Sequence, residues 1–188
     1  YTSQVDLDAI DDYRKTQAGG PMYPAHTFLT QYEFNTLNQL VQQSTPDGGT
    51  SSFWYDAVGR MVVSQNAQQA TNFDFSYTTY DNLGRITVVG QLNTVQSMSW
   101  QTAFDPVQLD GFISGASSHT EVTETHYDED QIGISYNSFT MDNLRNRVAS
   151  MLYWDDLTDP QHKHAVHYSY DIHGNVKSML RDNTDLGG

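Results

Sequence analysis

The sequence predicts an all-β fold, an array of antiparallel β-hairpins forming part of a large curved or spiralling sheet. Three observations carry this expectation. A short unit, aromatic residues followed by Asp-x-x-Gly, returns as "FWYDAVGR", "TTYDNLGR" and "YSYDIHGN". Each copy runs on into aliphatic or β-branched residues, "RMVVS", "RITVV" and "NVKSML", the composition of a return strand. Helical periodicity is hard to find elsewhere in the chain.

The turn in each unit has a local mechanism. An Asp at the first position of a type I turn accepts a hydrogen bond from the backbone N–H two residues on, and a Gly after the turn takes positive φ without a Cβ clash. Tyr55, Asp56, Gly59 and Arg60 fill these places in the first strong copy, followed by Tyr80, Asp81, Gly84 and Arg85 in the second. Tyr170, Asp171, Gly174 and Asn175 fill them in the third. On the upstream strands Phe53 and Tyr55 share a face by alternation, as do Phe73, Phe75 and Tyr77, and Tyr168 and Tyr170. The spacing, roughly twenty to thirty residues, is that of a supersecondary unit.

In chain order, residues 1–31 are expected to be an irregular segment or the continuation of a preceding repeat. Residues 32–100 are expected to hold hairpins. Here "EFNTLNQLVQQS" has apolar residues at 34, 37, 40 and 41 that suit a helix, yet its alignment with the repeat, Asn35 and Asn38 standing for Asp and Gly, favours strands. "TPDGGT" then connects to the next strand. Residues 101–138 fit the repeat poorly and are expected to be an insertion or irregular hairpin region. Residues 139–188 return to hairpins, with a weak copy centred on Asp142 in which Arg145 stands where the Gly belongs.

Composition narrows the function classes. The 188 residues include no Cys, so disulfides and thiolate metal sites are excluded. A formal charge of −14 argues against nucleic acid or an anionic membrane surface as partner. No apolar run approaches the about eighteen residues of a membrane-spanning helix, so membrane insertion of that kind is not expected. The opening at Tyr1 rather than Met points to a slice of a longer array.

The repeated Y-x-Y-D-x-x-G-R/N unit with an aliphatic return strand resembles the YD repeat of the Rhs family, shared with the C subunits of insecticidal toxin complexes and with teneurins. The likeness covers most of residues 32–100 and 139–183. "PMYPAH" and "STPDGGTSSFWYDAVGRMVVSQNAQQ" are especially similar to large secreted Rhs-type proteins of Bacteroidetes. The resemblance implies a segment of a hollow shell that, in toxin members, encloses a C-terminal toxic domain. It also implies secretion or cell-surface exposure, and as partners neighbouring repeats of the parent chain, an encapsulated domain or secretion machinery. Family shells often end in an Asp-Pro-x-Gly-Leu segment supporting self-cleavage. Asp105-Pro106 and Asp159-Pro160 continue instead as "VQL" and "QHK", so that activity is not carried over.

Catalytic, cofactor and metal sites are not expected. His162 and His164 of "HKHAVH" have a two-imidazole strand spacing, with His167 on the other face, but no carboxylate is fixed beside them; a polar hairpin loop is the simpler account. "DLDAIDD", "HYDEDQ" and "WDDLTDP" lack the pattern of a calcium loop and read as solvated faces. "GFISGASSH" lacks the context of a nucleophile elbow and reads as a surface loop. Arg60 and Arg85 are expected to pair with Asp residues of neighbouring hairpins. A cell-surface adhesin or carbohydrate-binding protein is the alternative function. Burial of Trp54, Trp100 and Trp154 would favour the shell, and their exposure the adhesin.

Overall fold

In the computed structural model, residues 29–130, 133 and 139–183 are described. Of the segment 1–31, residues 1–28, which include "DLDAIDD", lie outside these. The described residues form one ten-stranded antiparallel sheet whose spatial order, β1 to β10, is the order of the sequence. The sheet is open and not closed into a barrel.

Strands β1 (Gln31–Phe34) and β2 (Leu40–Thr45) make the first hairpin, which resolves the helix-or-strand ambiguity at "EFNTLNQLVQQS" in favour of strands. Then come β3 (Gly49–Tyr55) with β4 (Met61–Gln65), and β5 (Asp74–Tyr80) with β6 (Ile86–Asn93). The second half holds β7 (Ser118–Tyr127), β8 (Val148–Asp156), β9 (His164–Tyr170) and β10 (Val176–Asn183).

Among the described residues three helices interrupt the meander, where hairpins and loops were expected. The first, α1 (Ala67–Asn72), links β4 to β5 and is short but fully capped. Asn66 accepts from the Gln69 N–H at 2.8 Å and the Gln69 side chain accepts from the Asn66 N–H at 2.9 Å, a reciprocal box that satisfies two orphan donors. Phe73 ends this helix at φ 62° and is exposed, so it does not join Phe75 and Tyr77 on their strand face. The other two, α2 (Trp100–Phe104) and α3 (Pro106–Ser114), lie between β6 and β7. Asp105 caps α3 and Pro106 occupies its first turn, where a missing N–H costs nothing. Part of "GFISGASSH" is therefore helix, and its Phe112 is buried rather than lying in a surface loop.

These two helices cover the sheet over its first half. Phe112 meets Phe75 edge-on at 5.4 Å, Trp54 lies 6.1 Å from Phe75, and Val62, Val63, Tyr77, Leu92 and Ala103 complete the cluster. Strand alternation carries the same face onward through Val122, Leu152 and Ala165, all buried. Gly90 stands where this face is tightest. A Cβ there would come within 2.9 Å of Val122 Cγ2 and 3.0 Å of Tyr77 Cε1.

Gly90→Ala is therefore expected to lower unfolding free energy by about 1–3 kcal/mol through overpacking. Gly111→Ala, inside α3 with nothing within 4 Å of the added methyl, should be neutral or gain up to about 1 kcal/mol. Urea unfolding of the two variants checks the contrast.

Candidate functional site

The residues singled out by the repeat lie in a row along one margin of the sheet, at the hairpin tips. In each strong copy the Asp Oδ1 accepts two backbone N–H groups. Asp56 takes those of Val58 and Arg60 at 3.0 and 2.8 Å, Asp81 those of Leu83 and Arg85 at 2.9 and 2.8 Å, and Asp171 those of His173 and Asn175 at 2.8 and 2.9 Å. The following Gly59, Gly84 and Gly174 have φ of 88°, 81° and 94°. The weak first copy builds the same turn with Asn: Asn35 accepts from Leu37 and Gln39, and Asn38 takes the Gly place at φ 59°.

The fourth turn differs from the sequence expectation. It is not centred on Asp142. Its start is Tyr127-Asp128 and its end is Asn146-Arg147-Val148, with residues 129–145 intervening. The Asp128 N–H donates to the Arg147 carbonyl at 3.1 Å, as Asp56 and Asp81 do to Arg60 and Arg85 at 2.9 Å. Asn146 stands at φ 59° in the place of Gly and donates its N–H to Asp128 Oδ1 at 2.6 Å. Asp142 sits inside the intervening segment, its carbonyl accepting from the Tyr170 N–H at 3.0 Å. Arg145 consequently occupies no turn Gly position.

Each turn is tied to the one before it. The hydroxyl of Tyr55 donates to the Leu40 carbonyl at 2.8 Å, that of Tyr80 to Met61 at 2.8 Å, that of Tyr127 to Ile86 at 2.9 Å and that of Tyr170 to Val148 at 2.9 Å. Every acceptor is the first residue of the preceding return strand. Arg60, Arg85 and Arg147 then lie over the rings of Tyr80, Tyr127 and Tyr170 at 4.4, 4.2 and 5.3 Å. A guanidinium over a ring face contributes about 0.5–1 kcal/mol at an exposed site.

Arg60 was expected to pair with a neighbouring hairpin's Asp, but it bonds Asp56 of its own turn, at 2.7 Å. Arg85 does both, holding Asp81 and the neighbouring Asp128, each at 2.6 Å. Those two carboxylates raise the Arg85 pKa further. Desolvation opposes ionisation of Asp81, yet N–H donors from Arg85 and Leu83 and the guanidinium outweigh it and hold its carboxyl below the ordinary range. Asp128 is lowered by Arg85 and the Asn146 N–H, and Asp171 by the side chain and N–H of Asn175.

Two clefts flank the row. One of about 450 Å³ is lined by Arg85, Glu124, His126, Tyr127 and Asp128; the other, about 210 Å³, lies between the turns and the helices beside Arg60, Tyr80 and Phe104. Among the described residues, no group of three or more His, Cys, Asp or Glu is placed to hold a metal ion. The histidine cluster is dispersed. His162 meets Asp182 at 3.0 Å and His164 meets Asn183 at 3.1 Å, while His167 is fully buried with Nδ1 2.7 Å from the Ser150 Oγ and Nε2 without a hydrogen-bond partner. Lys163 bonds Asp155, and Asp156 closes its own turn through Thr158. The tryptophans divide: Trp54 and Trp154 are half-buried and Trp100 is 67% exposed. No helix among the described residues is long and apolar enough to cross a membrane.

Sequence reasoning missed Tyr127, Asp128, Asn146 and Arg147. The signal available was a Tyr-Asp with no Gly at the proper distance, matched downstream by Asn-Arg-Val in place of Gly-Arg-aliphatic.

Tyr80→Phe deletes one tie to Met61 and is expected to cost about 0.5–1.5 kcal/mol, seen as a lower urea midpoint at unchanged slope. A second expectation concerns pH. Burial depresses the His167 pKa below its ordinary 6.5; Asp182 and Asp130 favour the charged ring, while His162 and His126 oppose it. The neutral ring is thus the folded form, so stability is complete above pH 6.5 and falls as the pH drops below it, because the unfolded chain takes up the proton first. His167→Gln should flatten the stability profile in that window. Asp81, Asp128 and Asp171 add a separate loss as pH falls below their ordinary 3.8.

No family model matches the chain, and no curated protein matches it. Among solved structures it is similar to the Tc holotoxin pore of Photorhabdus luminescens, with a TM-score of 0.34 and 14% identity over 83% of this chain. The chain spans 8% of that neighbour's length.

Proposed function

We propose that this protein is a wall segment of a secreted or surface-exposed YD-repeat protein of the Rhs type, enclosing an effector domain carried further along the same parent chain. The observation that carries the reading is the row of five equivalent turns, the last four of which are each bonded through a Tyr hydroxyl to the hairpin before. Such a device sets the spacing of hairpins in a continuous wall, and its aspartates are consumed in holding backbone. Each turn Asp spends its carboxylate on N–H groups and, at Asp56, Asp81 and Asp128, also on a guanidinium. The part played is mechanical, with no catalysis of its own and no cofactor. Its partners are the adjoining repeats and the enclosed domain.

The glycan-binding alternative rests on one feature. Trp100 and Phe104 are 67% and 50% exposed and lie four residues apart on α2, so they share one face, open to stacking with a sugar ring.

Limited proteolysis of the parent gene product distinguishes the two. A wall predicts that the sequence following Gly188 contains a domain resistant to protease in native buffer and digested once the sheet is opened by urea. Immediate digestion of that domain, together with retention on a polysaccharide column that Trp100→Ala abolishes, would replace the wall by the adhesin.

A further inference from the structure

The smaller cleft, between the turns and the helices, has the build of a receptor for one side chain. Its floor is apolar: Val62 from β4, Ala103 and Phe104 from α2, and Leu109 and Ile113 from α3. Val62 and Ala103 are buried, whereas Phe104 stands half out of the surface. The space of about 210 Å³ exceeds the roughly 150 Å³ of an engineered cavity that takes up benzene, so a phenyl or long aliphatic side chain fits. The apolar surface continues outside the cleft. Trp100, one helical turn from Phe104, is 67% exposed, and Val107 at the start of α3 is 81% exposed. Exposed apolar groups that run into an apolar cleft mark a binding surface.

The polar rim decides what kind of ligand enters. Asp56 gives one carboxylate oxygen to the N–H groups of Val58 and Arg60 and the other to the Arg60 guanidinium. Arg60 covers the Tyr80 ring, the Tyr80 hydroxyl donates to the Met61 carbonyl, and the Thr79 and Thr87 hydroxyls are bonded to each other at 2.8 Å. Those groups are consumed. Of the rim side chains this leaves the Thr78 hydroxyl and the exposed carboxylate of Asp110, neither of which has a hydrogen bond or ion pair among the described residues. A sugar needs several donors and acceptors around its stacking platform and finds few of them free. We propose that this surface binds a peptide segment in which a Phe, Leu or similarly bulky apolar residue is flanked by Lys or Arg. The apolar side chain fills the cleft, and a flanking cation meets Asp110. A formal charge of −14 on the chain draws a cationic segment and repels an acidic one. The open face of Trp100 offers a second flanking cation a ring to lie against. Binding of this kind needs no enclosed effector domain, so it stands apart from the wall reading.

The test is a chemical-shift titration of the whole chain at low salt, following the methyl groups of Val62, Ala103, Leu109 and Ile113. Blocked peptides are carried to about 10 mM, a range that detects millimolar binding. Acetyl-Lys-Phe-Lys-amide is expected to shift these methyls, with acetyl-Lys-Ala-Lys-amide binding at least about tenfold more weakly for want of the ring. Acetyl-Glu-Phe-Glu-amide should bind at least about threefold more weakly, by charge alone. Asp110→Lys, at an exposed helix position, should erase the preference for the Lys peptide over the Glu peptide. No shift with the Lys-Phe-Lys peptide overturns the site. Equal binding of the Phe and Ala peptides overturns the cleft as receptor, and a charge preference that survives Asp110→Lys overturns the role of that carboxylate. A soluble glucose oligosaccharide that moves the same methyls more strongly than any of the peptides gives the surface to a glycan instead.

Discussion

The structure depends on the reach of a Tyr hydroxyl from one hairpin tip to the backbone of the previous one. A two-stranded hairpin in water is marginal, and a strand edge leaves a row of unpaired N–H and C=O groups. Strand pairing alone satisfies those groups but leaves the offset between successive hairpins weakly fixed. A bond from Tyr80 to Met61, repeated at Tyr55, Tyr127 and Tyr170, removes that freedom at the margin where the turns lie. The bulge beside each Tyr belongs to the same device, since one extra residue re-aims the side chain and increases the local twist. The turn Asp then acts as an internal backbone clamp, and Arg60 and Arg85 pair with its carboxylate while laying their guanidinium over the next ring.

The two halves of the covered face are built differently. Over β3 to β6 the cover is apolar, two helices delivering Ala103 and Phe112 onto Trp54, Val63 and Phe75. On β8 and β9 the same face carries Ser150, His167 and Ser169, all buried. An apolar cover is indifferent to acidity, whereas a buried imidazole is stable there only while neutral. Chemical sensitivity is thus concentrated at one end of a sheet whose backbone pattern is uniform.

Legibility followed locality. The turns at Asp56, Asp81 and Asp171 were readable because each is complete within a few residues, every contact being set by Asp geometry and a positive φ. Asn35 and Asn38 were readable by alignment, since Asn accepts like Asp and tolerates the left-handed region. The turn at Asp128 was hidden because its two halves are separated in sequence by residues 129–145, and Asp142-Asn143-Leu144 imitates the expected copy nearby. The helices left small signs that a period search overlooks: Asn66 with Gln69, and Asp105 with Pro106, are start signals for segments too short to show periodicity. Phe73 illustrates the cost, for a residue aligned with Phe75 and Tyr77 by alternation is turned away by ending α1.

The agreement between spatial order and chain order has a kinetic corollary. Each strand pairs with its immediate predecessor, and although α2 and α3 stand between β6 and β7 and residues 129–145 lie within the fourth turn, contact order stays low for an all-β protein. A nascent chain leaving the ribosome can add hairpins one after another, each finding its template already in place. Disassembly by pulling or heating would proceed from the margins inward, strand by strand, in the manner of a zip fastener.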